Sequence, residues 1–119
     1  MDRREHPRYM VCLEIEIREA SSCFSSRGTT TDASLGGCYI ATIFPLAAGS
    51  VVTYRLWVGD QPIQGRATVQ TCHPGVGMGI HFVDLPEEAS QILDHYLRNS
   101  SSLPMHVAFS HMRTFQSGD

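Results

Sequence analysis

Alternation of apolar and polar residues constrains the fold of this chain more than any other feature of its sequence. Val11, Leu13, Ile15 and Ile17 occupy every second position. This spacing predicts a half-buried strand, because successive side chains of a strand point to opposite faces. Comparable short segments follow along the chain. The predicted strands span residues 9–19, 29–33, 38–44, 51–58, 63–71 and 75–82.

A single helical period closes the pattern. From Leu85 to Leu97 the apolar residues recur every three or four positions, which predicts an amphipathic helix ending near Asn99. Six short strands followed by one helix predict an all-β fold, a six-stranded antiparallel β-barrel with one C-terminal α-helix. Closure into a barrel removes the sheet edges that a chain of 119 residues would otherwise leave exposed.

Glycine occupies every second position of the last predicted strand. Gly77 and Gly79 lie on one face, and Met78 and Ile80 lie on the other. Glycine inside a strand marks a tightly curved sheet or a place where another backbone or side chain comes close. We therefore expect strong curvature or a close neighbour at this strand.

Composition divides the chain into three parts. Residues 1–8 hold three of the nine arginines, the chain has no lysine, and we interpret this segment as a flexible arginine-rich arm. Residues 9–99 carry the predicted barrel and helix. Residues 100–119 begin with serines and show no strong period, so this C-terminal tail is compatible with a short helix or with disorder.

Charge and composition argue against several classes of protein. Nine basic and twelve acidic residues give a net charge of -3, whereas a domain that coats a nucleic acid polymer is usually basic. Four cysteines without zinc-like spacing predict free thiols and no metal site. No stretch approaches the roughly 20 apolar residues of a membrane helix. The first residues also lack the apolar run of a secretion signal. We expect a cytoplasmic protein without membrane insertion.

The arm carries an R-x-x-x-R pair, Arg4 and Arg8, directly before the first predicted strand. A guanidinium is planar, permanently charged and rich in donors. It can therefore bind phosphate oxygens, bond the O6/N7 edge of guanine and stack on a base. Pro7 stiffens the arm, which lowers the entropy lost when the arm orders on a ligand. Taken alone, the pair also fits a solvated charged terminus.

A second motif, Asp32-x-Ser34-x-x-Gly37, lies between two predicted strands. A carboxylate can accept the N1 and N2 protons of a guanine, and a serine hydroxyl can bond a phosphate or a base. Gly36 and Gly37 allow close backbone approach and a positive φ in the turn. Taken alone, the motif also fits an ordinary turn between two strands.

In this order, the two motifs and the pattern of strands resemble the PilZ domain family. The segment from Gly77 to Phe82 is also similar to the last barrel strand of that family, and the resemblance covers residues 2–98. It implies a bacterial cytoplasmic receptor for the second messenger cyclic di-GMP (c-di-GMP), and not an enzyme. It further implies an unidentified downstream protein and an output in motility or biofilm formation. No cofactor other than this ligand is implied.

The resemblance also implies roles for individual residues. Arg4 and Arg8 would grip guanine edges and phosphates, while Asp32 and Ser34 would contact a guanine from the barrel surface. In this family a polar or basic residue at the position of Arg3 accompanies an intercalated dimer of c-di-GMP, so the stoichiometry, monomer or dimer, stays open. The predicted ligand-binding residues are Arg3, Arg4, Arg8, Asp32, Ser34, Gly36 and Gly37.

Other functions stay compatible with the sequence. A PilZ-like fold can act as a protein-interaction module in pilus or motility machinery without nucleotide, although such proteins typically lack the arginine motif. An OB-like barrel can bind single-stranded nucleic acid, but the net acidity and the single tryptophan argue against this. We predict no catalytic residue, because the chain has no G-x-S-x-G nucleophile elbow.

Overall fold

The computed structural model describes residues 6–99 and the backbone of residues 103–104. The elements in chain order are β1 (Tyr9–Met10), β2 (Glu14–Glu19), β3 (Ser25–Ala33), β4 (Gly37–Ala41), β5 (Val51–Val58), β6 (Gln61–His73), β7 (Gly77–Asp84), α1 (Glu87–Asn99) and β8 (Leu103–Pro104). Strands β2 to β7 follow one another around a sheet in the order β2-β5-β6-β7-β4-β3, and β3 pairs again with β2. The sheet is therefore a closed six-stranded antiparallel barrel followed by a helix, which confirms the predicted fold class.

The core fills the barrel with the inward-facing residues of each strand. In β5 the buried side chains are Val52, Tyr54, Leu56 and Val58, each separated from the next by a more exposed residue. This alternation follows from the two-residue period of a strand. In α1 the buried positions are Ala89, Leu93 and Leu97, four residues apart. The helix packs against β5, ends at Asn99 as predicted, and buries one apolar stripe.

Because every strand pair is antiparallel, the connections alternate between the two ends of the barrel. The β3–β4 and β5–β6 turns and the link into α1 lie at one end, which we call the helix end. The β2–β3, β4–β5 and β6–β7 connections lie at the opposite end, which we call the loop end. The motif from Asp32 to Gly37 therefore lies at the helix end.

The structure differs from the predicted strands mainly around β3. This strand begins at Ser25, inside a run of small polar residues without apolar alternation. Its first three residues, Ser25, Ser26 and Arg27, are all exposed and therefore need no apolar side chain. The predicted first strand is divided into β1 and β2, and both lie along β3. A bulge in β3 between Thr30 and Asp32 shifts its register with β4, next to the residues that pair with β1. Val76, which the predicted strand 75–82 includes, is 63% exposed and precedes β7.

The chain after the helix returns to the barrel. Backbone pairing places Pro104 of β8 opposite Tyr9 and Leu103 opposite Met10. Strand β1 in turn pairs with the end of β3, where Tyr9 lies opposite Ala33. The segment that follows α1 thus adds two residues beside β1.

Candidate functional site

The turn between β3 and β4 is held by its own hydrogen bonds. The Ser34 backbone amide donates to the Gly37 carbonyl oxygen at 2.8 Å, and the Gly36 amide donates to Ser34 Oγ at 3.0 Å. The Gly36 carbonyl oxygen accepts a bond of 2.9 Å from the Phe82 amide of β7. Ser34 is only 5% exposed. The Ser34 hydroxyl in turn donates to the Gly37 carbonyl oxygen at 3.5 Å, so it both accepts and donates a hydrogen bond within the turn.

The bulge at Thr31 determines which way Asp32 faces. Thr30 lies opposite the buried Ile40, whereas Asp32 lies opposite the half-buried Tyr39. In a regular strand residues 30 and 32 would share a face, but the extra residue of a bulge reverses the alternation. Asp32 therefore faces the outside of the barrel, although Thr30, two residues earlier, faces the core.

Arg8 forms an ion pair with Asp32, its Nη1 donating to Oδ1. The arginine side chain is 27% exposed and that of the aspartate 11%. Arg8 precedes β1, and the pairing of Tyr9 with Ala33 places it beside the end of β3. Arg8 of the first motif and Asp32 of the second therefore meet at one point of the barrel surface. The ion pair with Asp32 orients one edge of the Arg8 guanidinium. The remaining N–H donors of the guanidinium are not bonded to Asp32.

Gly37 is required by its surroundings rather than by its backbone conformation. Among the described residues, positive φ occurs only at Gly49, Gly59 and Gly75, so neither glycine of the motif has the positive φ that we expected. A Cβ at Gly37 would instead overlap the Ile80 carbonyl oxygen of β7. Glycine here lets two backbones of the barrel come together.

The glycines of β7 confirm the expected close neighbour. A Cβ at Gly77 would lie 2.6 Å from Tyr39 Cε2, and one at Gly79 would lie 2.7 Å from Thr71 Oγ1. The Tyr39 hydroxyl is 2.8 Å from His73 Nδ1, which holds the ring over this strand.

A groove of about 620 Å³ opens beside the motif. Its lining includes Arg8, Ser34 and the backbone around Gly36 on one side, and Gln70 and His81 on the other. This volume lies within the range of roughly 300–1,000 Å³ that is typical of small-molecule sites. Asp32 does not line the groove and reaches it through Arg8.

Three polar groups of the groove were absent from the predicted site: His6, Gln70 and His81. His81 lies opposite Gly37 in β4, where the missing glycine side chain leaves it uncovered. Gln70 falls at a register shift between Val69 and Thr71 in β6. His81 lies on the same face of β7 as Gly77 and Gly79, and a polar residue on that face was a signal that the sequence did contain. The bulge that displaces Gln70 has no such signal in the sequence.

Cys38 lies in the core directly beneath this surface. It is fully buried and pairs with Ala33, the residue after Asp32. Burial raises the pKa of the Cys38 thiol far above its ordinary value, the negative charge of Asp32 raises it further, and Arg8 acts in the opposite direction. Cys38 is therefore a neutral core residue.

Two of the predicted arginines, Arg3 and Arg4, lie outside the described residues. Within residues 6–99 no group of three or more histidine, cysteine or carboxylate side chains is arranged to hold a metal ion. In the same part of the chain, no helix has the length and apolar character needed to cross a membrane.

Known structures share this fold. The inhibitor of motility MotI/DgrA of Bacillus subtilis superimposes with a TM-score of 0.69 at 17% identity, over 82% of this chain and 51% of that one. YcgR of Escherichia coli, in complex with c-di-GMP, gives 0.63 at 14% identity, over 99% and 50%. The PilZ domain of CeSA from a cellulose-synthesizing bacterium gives 0.59 at 20% identity, over 74% and 91%. The chain thus spans about half the length of the first two proteins.

These likenesses establish the fold, since all three identities are low. No curated protein matches the sequence. The sequence model of the PilZ domain, however, matches residues 2–99, from the arginine arm to the end of α1. The matched residues include Arg8, Asp32 and Ser34, and the chain belongs to the PilZ domain family.

Proposed function

We propose that this protein is a receptor for c-di-GMP and binds it in the groove beside the β3–β4 turn. The observation that carries the proposal is the convergence of Arg8 and Ser34 on one wall of this groove, with Asp32 holding the arginine in place. Membership of the PilZ family supports it, as does the likeness to YcgR, whose structure contains c-di-GMP.

Arg8 supplies the main recognition chemistry in this proposal. Its guanidinium presents donors in a planar fork that fits a phosphate or the O6/N7 edge of guanine, and its face can stack on a base. The ion pair with Asp32 fixes the orientation of the fork before the ligand arrives, which lowers the ordering cost of binding. The Ser34 hydroxyl, positioned by the Gly36 amide, exchanges its long bond of 3.5 Å to the Gly37 carbonyl oxygen for one to the same ligand.

The other wall of the groove supplies further ligand contacts. His81 and Gln70 face Arg8 across the groove and offer an imidazole and an amide, which can bond a second phosphate or base edge. Arg3 and Arg4 are proposed to fold over the bound nucleotide from the arm. A c-di-GMP dimer would bring four phosphates to this cluster of arginines, which gives Arg3 a role. The ordered arm is then the surface that a downstream protein reads.

Calorimetric titration with c-di-GMP tests the proposal. Arg8→Ala and Arg4→Ala should each weaken binding by about 10- to 100-fold, because each removes a charge-assisted contact to the ligand. Asp32→Ala should weaken it less, since Arg8 remains. Arg27→Ala is the matched control: Arg27 lies over the Trp57 ring, 4.8 Å from its centroid, away from the groove, and binding should stay within about twofold.

Two results would overturn the proposal. One is wild-type affinity in the Arg8→Ala protein, which would remove the assigned site. The other is the absence of heat, and of NMR shift changes at residues 3–8 and 32–37, when the folded chain is titrated with c-di-GMP. That result would favour the alternative, a PilZ-like interaction module that does not use nucleotide.

A further inference from the structure

The loop end of the barrel exposes large apolar side chains. Among the described residues, six large hydrophobic side chains are exposed, and five of them lie at this end, while Val83 lies near the other. We call the surface formed by the connections 20–24, 42–50 and 74–76, together with Val51, the loop-end face. Its exposed apolar residues are Phe24, Ile43, Phe44, Val51 and Val76.

The loop-end face also carries no charge. None of its three connections contains an aspartate, glutamate, lysine or arginine. Barrel connections in contact with water are usually polar, and the helix end follows that rule with Asp60, Asp84 and Glu87. Apolar loops without charge are typical of the core of a protein–protein interface, which is depleted in charged residues and enriched in aromatic ones.

Hydrogen bonds hold these connections in place before any partner arrives. The Gly75 amide donates to the Ile43 carbonyl oxygen, and the Thr42 amide donates to the Val76 carbonyl oxygen, each at 3.1 Å. These bonds tie the β4–β5 and β6–β7 connections to each other. The Ala20 amide donates to the Val51 carbonyl oxygen at 3.0 Å and ties the third connection to β5. A face fixed in this way loses little entropy on docking.

The exposed apolar area is sufficient for a weak interface. Phe24 and Phe44 are 80% and 87% exposed, and the other three residues between 49% and 67%. Since an aromatic side chain buries roughly 150–250 Å², the face offers on the order of 500 Å². That value lies near the largest patches of ordinary monomers, roughly 300–600 Å². It is below the roughly 800 Å² per partner of a standard stable complex.

We propose that the loop-end face is the contact surface of a homodimer in which two copies of this chain meet end to end. An uncharged face offers nothing to a charged partner or to anionic lipid headgroups, and its best match is another uncharged apolar face. Two copies both carry a charge of -3, and this arrangement keeps their charged helix ends farthest apart. A two-fold axis makes one patch self-complementary, as in most homo-oligomers. Each nucleotide groove then points away from the contact.

Sedimentation equilibrium of the full chain without nucleotide tests this contact. We expect a reversible dimer with a micromolar dissociation constant. Phe44→Asp should weaken it by about 30-fold or more, because it buries an unpaired charge in an apolar interface. Val83→Asp is the matched control, since it adds the same charge to an exposed apolar residue outside the face, and the dimer should persist. A monomer at all concentrations up to millimolar, or equal effects of the two variants, would overturn the proposal.

Thiol crosslinking locates the contact independently of the nucleotide site. Cys23 is exposed beside Phe24 in the loop-end face, and Cys12, also exposed, follows β1 outside it. A short bismaleimide crosslinker should yield a covalent dimer that Cys23→Ser abolishes and Cys12→Ser preserves. The reverse pattern would contradict end-to-end contact through this face. Because c-di-GMP is absent, failure here leaves the proposed receptor function unaffected.

Discussion

Apolar side chains are usually buried and polar ones exposed, and the two ends of the barrel depart from this rule in opposite ways. At the helix end polar side chains are buried: Thr30, Asp32 and Ser34 are 1%, 8% and 5% exposed, and each has a hydrogen-bonding partner. At the loop end apolar side chains are exposed, with Phe44 at 87%. Buried polar groups with partners rigidify a site, whereas exposed apolar patches mark contact surfaces. The same six strands thus support a preorganised groove at one end and a docking face at the other.

Glycine substitution should give the largest difference between the ends. Gly37→Ala should lower the free energy of unfolding by about 3 kcal/mol, because its Cβ overlaps the Ile80 carbonyl oxygen and the two backbones must separate. Gly75→Ala, at the loop end, has nothing within 4 Å and is strained only by its φ of 78°, so it should cost about 1 kcal/mol. Urea unfolding measures both values. Equal losses would mean that close packing does not distinguish the helix end.

Thr30 and Thr42 allow a comparison of how much side-chain hydrogen bonds stabilise each end of the barrel. Thr30 Oγ1 accepts from the Leu13 amide at 2.9 Å and donates to the Val11 carbonyl oxygen at 2.7 Å, which fixes the chain between β1 and β2. Thr30→Val keeps the shape but leaves both groups unpaired, so we expect a loss of about 2 kcal/mol in urea unfolding. Binding of c-di-GMP should also weaken, since β1 positions Arg8.

Thr42→Val is the control at the loop end. Thr42 Oγ1 accepts only one exposed bond of 3.3 Å, from the Phe44 amide. Its loss should stay below about 0.5 kcal/mol, with unchanged binding. If Thr30→Val kept full affinity for c-di-GMP, β1 would not be the element that positions the arginine.

The sequence predicted the barrel because apolar residues alternate along β5, at Ile15 and Ile17 in β2, and at Ile63, Ala67 and Val69 in β6. It did not predict where β3 begins, because Ser25, Ser26 and Gly28 contribute no apolar alternation, and their pairing with β2 depends on closure between distant residues. Long-range pairing of this kind leaves no local pattern.

The candidate site, like the fold, was predicted from the sequence only in part. The residue types of Arg8, Asp32 and Ser34 indicated ligand chemistry directly, and the structure brings Arg8 and Asp32 together. The bulge that turns Asp32 outward, the register shift at Gln70 and the true reason for Gly37 depend on neighbouring strands. Only the three-dimensional arrangement contains that information.

The smallest expected difference between the ends is in alkaline stability. In the folded chain burial raises the pKa of the Cys38 thiol, whereas in the unfolded chain the thiol ionises near its ordinary value of 9.0. As the pH rises above 9 the unfolded state loses this proton and the folded state keeps it. The free energy of unfolding should therefore fall, by about 1 kcal/mol between pH 8 and pH 10.

Two alanine variants separate this contribution from others, again one at each end. Cys38→Ala should remove about 1 kcal/mol of the alkaline loss, because the titrating group is gone, although its stability at pH 8 is lower. Cys23→Ala, at the loop end, should keep the full loss, since it leaves the buried Cys38 in place. Tyr54, whose pKa is also raised by burial, contributes in both variants, mainly above its ordinary value of 10.0. If Cys38→Ala retained the entire loss between pH 8 and pH 10, the thiol beneath Asp32 would not be a neutral core group, and the helix end would be more hydrated than its packing implies.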